Sequence, residues 1–137
     1  MCIRDRTDGF AAGKYTNVTK DGVAGSNLDH VDTDFPMFRL ADVYLMYAEA
    51  TLRGASNGDR ALSLNYLNAI KERAYGNASA NISDASLSLD YILEERGREL
   101  YFEGHRRIDL IRFNKFSDRA GVDELIWDWK GQAINGS

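Results

Sequence analysis

One segment, FPMFRLADVYLMYAEATLRG from Phe35 to Gly54, limits what this chain can fold into more than any other. The only proline, Pro36, suits the first turn of a helix, where the missing amide has no intrahelical partner to lose, and Asp34 is placed to cap it. A helix is therefore predicted from about Pro36 to Arg53, ended by Gly54. At helical spacing Phe38, Leu40, Val43, Tyr44, Leu45, Tyr47, Ala48 and Leu52 cover most of its circumference, whereas a helix on a single core shows a narrower stripe. Arg39, Asp42 and Glu49 are set among these apolar residues, and charges so placed need partners. Such a helix packs on several sides, and some of its neighbours are expected from elsewhere in a longer protein.

The link Ala55-Ser56-Asn57-Gly58 is short, so a second helix should return antiparallel. It is predicted from about Asp59 to Tyr75, with Leu62, Tyr66, Leu67 and Ile70 at helical spacing and Gly76-Asn77 as its stop. A polar stretch leads to a third helix, about Leu89 to Phe102, broken by Gly104, and a short fourth helix spans roughly Arg106 to Phe113. Ahead of all four, Phe10 to Thr19 alternates weakly and reads as a strand or extended arm, and residues 20–34 read as a loop. The tail from Lys115 to Ser137 is expected to be irregular. The fold class is mainly α, built of helical hairpins. Residues 1–9 read as a leader, non-native or disordered, and 10–137 as a partial domain truncated at both ends.

The net charge of −4 favours no polyanion, and no apolar run approaches the roughly 18 to 20 residues that span a bilayer. The single cysteine, Cys2, rules out an internal disulfide and has only Met1 before it, so no signal region precedes it here.

Glu94 to Arg112 holds five acids and five arginines. Glu95, Glu99 and Glu103, four apart, would share a face of a continuous helix, but a carboxylate-bridged metal pair needs Glu-x-x-His units on facing helices. Here Glu103 and His105 are one residue too close, and no second copy exists. An ion-pair lattice is the simpler reading: Glu94 reaches Arg98 at i,i+4 and Glu95 reaches it at i,i+3. Glu99, Arg107 and Asp109 are assigned to the same structural network. The interleaved acids argue against Arg106, Arg107 and Arg112 forming a phosphate or nucleic-acid patch. Asp29, Asp32 and Asp34 around His30 lack the sixth-position glycine of a calcium loop. No nucleophile elbow, HExxH or P-loop pattern is present, so no catalytic, metal or cofactor residues are assigned. Trp127 and Trp129 are the best candidates for stacking on sugar rings; the competing reading anchors the tail on neighbouring helices.

Three elements occur in a telling order: RLADVYLMYAEA from Arg39, LNAIKERA from Leu67 to Ala74, and ILEERGRELYFEGHRRIDLIRF from Ile92. Together they resemble the C-terminal signature of the SusD/RagB family, and WDWKG from Trp127 to Gly131 is similar to a segment of the subgroup related to its starch-binding member. The resemblance covers nearly all of Phe10 to Gly131 but only part of a typical member's length. It implies a SusD-like, tetratricopeptide-related α-helical fold. It also implies a lipid-anchored protein on the outer face of the outer membrane, its anchor absent here. Such a protein captures oligosaccharides, α-glucan-like in this subgroup, without cleaving them. The implied partner is a SusC-like TonB-dependent transporter, with glycan contacts lying mostly upstream of this segment. A tetratricopeptide-like module that binds protein and no sugar is the alternative, and a glycoside hydrolase a distant third.

Overall fold

The computed structural model describes residues 14–19, 21–27, 30–32 and 34–116, in two compact units, Met1–Met37 and Phe38–Ser137. In the first, the chain doubles back through a turn at Gly22 (φ 81°), where Val18 and Ala24 form an isolated antiparallel bridge. Residues 14–19 thus form an extended arm with one bridge, and no strand develops among the described residues. Asp32 holds the following loop, accepting hydrogen bonds from the Ser26 amide (2.5 Å) and hydroxyl (2.7 Å), and these bonds lower its pKa.

The second unit contains four α-helices: α1 (Leu40–Leu52), α2 (Arg60–Tyr75), α3 (Leu89–Glu99) and α4 (Arg106–Arg112). The α1 helix begins later than its proline predicts. Arg39, not Asp34, occupies the N-cap position, in extended conformation (φ −134°, ψ 146°) and without a side-chain cap. That geometry frees its guanidinium to reach Glu99 and Glu103, some sixty residues on.

The turn between α1 and α2 is tight: a Cβ on Gly58 would lie 2.8 Å from the Thr51 hydroxyl. Asp59 caps α2 by accepting from the Leu62 amide (3.1 Å), and its own amide donates to the Tyr47 hydroxyl (3.1 Å). Tyr66 stacks on Tyr44 (4.2 Å between centroids, 2° between planes) and meets Tyr47 edge-on, which fastens the hairpin. Gly76 (φ 74°) closes α2 in the left-handed conformation.

Two single-turn helices, Ala78–Ala80 and Asp84–Ser86, lead back to α3. Asn68 pins this connection by exchanging hydrogen bonds with both backbone groups of Ile82 (2.9 and 3.2 Å), and Arg60 grips the Asp84 and Leu87 carbonyls. Ser88 caps α3. The α3 helix stops at Glu99, short of the predicted Phe102: Phe102 adopts a left-handed φ of 60°, and the Glu103 amide donates to the Leu100 carbonyl. Leu45, Ala48, Leu67, Ile70, Leu87, Ile92 and Leu100 form one buried cluster. Each large aliphatic side chain there contributes about 1.5–3 kcal/mol by leaving water.

Candidate functional site

The charged residues of α3 and α4 are organised by α1, the helix whose sequence placed charges in an apolar surround. Arg96 is the centre. Its side chain is 4% exposed, and it donates from Nη1 to Asp42 on α1 (2.8 Å) and from Nε to Asp109 on α4 (2.9 Å). The other oxygen of Asp109 accepts from Arg112 (2.8 Å), and Arg112 also meets Glu49, which Arg53 reaches at 2.8 Å. Three helices are therefore joined through alternating charges.

A second group forms where Arg39 bonds Glu99 and Glu103, each at 2.8 Å, while Arg73 of α2 reaches the other oxygen of Glu99 at 2.5 Å. In a third, Arg98 meets Glu95 (2.9 Å) and Glu94 (3.3 Å), and buried Lys71 lies 3.7 Å from Glu95. Glu95, Glu99 and Glu103 do not make the single helical face their spacing allows, because α3 ends at Glu99; Glu99 and Glu103 share Arg39, whereas Glu95 turns to Arg98 and Lys71. Arg107 makes no ion pair among the described residues; its guanidinium lies 5.1 Å from the ring centroid of Phe116. Arg96, Arg39, Asp42, Glu49 and Glu103 take the central places. The sequence signal for them was the set of charges buried in α1.

Arg106 is anchored differently, donating to the Leu93 carbonyl (2.9 Å) by lying across Gly97. A Cβ at Gly97 would sit 2.8 Å from its Nη1.

Burial alone would lower the pKa of Arg39, Arg98 and Arg112, but hydrogen bonds to their carboxylates hold each above the ordinary arginine value. Lys71 behaves similarly: burial opposes its charge, while the Tyr91 hydroxyl and Glu95 outweigh that and raise its pKa. A raised lysine pKa contributes stability that is complete below the unfolded value of about 10.4 and is lost as pH rises through the folded one. Lys71→Met is accordingly expected to flatten the alkaline decline in stability. Urea midpoints at pH 9 and pH 11 test this, and an equal decline in both proteins would refute it.

Open clefts flank the lattice. One, about 860 Å³, lies at the turn between α3 and α4, lined by Arg98, Tyr101, Phe102, Arg106 and Arg107. Another, about 410 Å³, runs between α1 and α4 over Glu49 and Asp109, and a third, about 390 Å³, lies between α1 and α2 beside Arg39 and Arg73. The lattice carboxylates are taken up by guanidinium groups, which disfavours their acting as a general acid and base. Among the described residues no group of three His, Cys, Asp or Glu is placed to hold a metal, and no helix is long and apolar enough to cross a membrane. Trp127 and Trp129, the candidate sugar contacts, lie outside the described residues, as do Asp29 and residues 1–9.

Comparison with known proteins converges on one group. The SusD family model matches residues 4–133. The starch-binding protein SusD of Bacteroides thetaiotaomicron is 38% identical over 133 residues, which are 96% of this chain and 21% of that protein. A SusD-like protein, P38, of Formosa agariphila is 33% identical over 70% of this chain and 21% of its own length. A crystal structure of a SusD superfamily protein from Bacteroides vulgatus superposes with a TM-score of 0.56 at 36% identity, covering 74% of this chain and 23% of that one. The chain thus spans about a fifth of the length of the curated relatives it matches.

Proposed function

The chain belongs to the SusD family, and from that premise we propose that the protein of which it forms part captures oligosaccharides at the cell surface without cleaving them. The observation that carries this reading is the 38% identity to a starch-binding protein across 96% of the chain. By the same likeness the ligand is α-glucan-like, the partner is a SusC-like TonB-dependent transporter, and the protein sits on the outer face of the outer membrane through a lipid anchor.

In this reading the described segment is scaffold. Glu95, Glu99 and Asp109 act by tying helices together, Glu94 and Arg98 by pairing along α3, Arg107 by covering Phe116, and Trp127 and Trp129 are the residues here to offer a sugar ring a face. Paired carboxylates support the absence of hydrolysis, since a glycosidase needs two that are free to flank a glycosidic bond.

Native affinity gels containing amylopectin, levan, xylan or no polysaccharide test the proposal on the intact protein. Retardation by amylopectin without release of reducing sugar is the expected result. Retardation by another polymer alone would correct the ligand. Equal mobility in all four gels would overturn capture of these glycans and favour the rival reading of the helical hairpins as a protein-binding module.

A further inference from the structure

Each ion-pair group of the lattice is neutral in itself among the described residues. Asp42, Glu49 and Asp109 are met by Arg53, Arg96 and Arg112. Glu99 and Glu103 are met by Arg39 and Arg73, and Glu94 and Glu95 by Lys71 and Arg98. Arg106 and Arg107 are left over. Arg106 spends Nη1 on the Leu93 carbonyl, Arg107 lies over the Phe116 ring, and neither meets a carboxylate among the described residues. The acids interleaved with them in sequence are engaged elsewhere in space.

Both arginines line the open cleft at the turn between α3 and α4, whose volume of about 860 Å³ falls in the range of small-molecule sites, roughly 300–1,000 Å³. Tyr101 and Phe102 share that lining, 53% and 58% exposed, with ring centroids 4.6 Å apart and planes at 72°. Phe102 also holds a φ of 60°, a strained conformation for a bulky residue. Glycine would take it at no steric cost, yet an aromatic ring stands there in the open. Strain of this kind collects where the placement of a side chain serves a ligand.

We propose that this cleft binds an acidic saccharide, built of pyranose units bearing carboxylate or sulfate groups. Arg106 and Arg107 pair with the acidic groups, and Tyr101 and Phe102 offer faces to the rings. Both guanidinium groups are held before a ligand arrives, Arg106 across Gly97 and Arg107 over Phe116, so binding costs them little side-chain freedom. Glu94, which also lines the cleft, is paired with Arg98 (3.3 Å), and the two unmatched arginines set the sign of the site. The aromatic pair favours a saccharide over a bare anion, a choice that rests on the longer protein being a glycan-capturing one. The site is a second saccharide contact, beyond the scaffold role of this segment in capturing α-glucan.

Isothermal titration of the intact protein with trigalacturonic acid and with sulfated maltotriose tests it, each in saturating maltotriose to occupy any α-glucan site. One of the two acidic trisaccharides should bind, and which of them does identifies the acidic group. Arg107→Gln and Phe102→Gly should each weaken that binding about tenfold and leave retardation in amylopectin gels unchanged. Because the Phe102 ring is exposed and its backbone strained, Phe102→Gly should keep or raise the urea midpoint while losing affinity. A lowered midpoint would mean that the ring packs against the rest of the longer protein, and would overturn the site. Unaltered affinity in both variants would overturn it too, as would displacement of the saccharide by equimolar sodium sulfate, which marks an anion site without saccharide recognition. A protein retarded by amylopectin that ignores both acidic trisaccharides overturns the cleft alone; one that binds none of the three overturns glycan capture with it.

Discussion

Arg96→Ala is expected to destabilise the intact protein by about 3–5 kcal/mol, because it strands Asp42 and leaves buried Asp109 with Arg112 as its one remaining cation. Asp109 is 2% exposed and Asp42 largely covered, so neither can turn to water in exchange. Urea unfolding measures the loss. Below the unfolding transition, glycan retardation should be unchanged, since Arg96 acts by joining α1, α3 and α4. An unchanged urea midpoint, or lost retardation at unchanged stability, would sink this account. Replacing the triad together, Arg96→Met with Asp42→Leu and Asp109→Leu, should recover much of the loss, as apolar packing often substitutes well for buried ion pairs.

Leu45→Ala should cost about 2–5 kcal/mol by a different route. Leu45 is fully buried in the cluster that α1 shares with Leu67, Ile70 and Ile92. Removing three carbons leaves a void that helices already fixed by ion pairs cannot readily collapse to fill. Asn65→Ala, on the exposed side of α2, serves as the comparison and should stay within about 0.5 kcal/mol. A loss at Leu45 as small as that at Asn65 would mean that the cluster is not the core.

These two positions differ in how plainly the sequence announces them. Leu67 and Ile70 stand at helical spacing between Asp59, which caps α2, and Gly76, which ends it. Both boundaries are local chemistry, and both are legible. The start of α1 is not, because Pro36 and Asp34 form a locally adequate entry that loses to Arg39 reaching Glu99 and Glu103. The same blindness hides Arg96. Pairing rules for a single helix find Glu94 and Glu95 beside Arg98, yet Arg96 takes partners 54 positions before it and 13 after. The available hint is on α1, where Asp42 and Glu49, seven residues apart, share one face of an apolar helix and need cations from another element. Arg107 shows the converse: it sits in the charge-rich run, but its neighbour is the aromatic ring of Phe116.

The seat of Arg106 over Gly97 has a consequence for how this segment can vary. Alanine in place of a mid-helix glycine ordinarily strengthens a helix by about 1 kcal/mol. Here the added methyl would occupy the place of the guanidinium and release the Leu93 carbonyl from its donor. Positions 97 and 106 are therefore coupled: an alanine at the first is expected to gain its full helical advantage only where the second no longer lays a guanidinium across it.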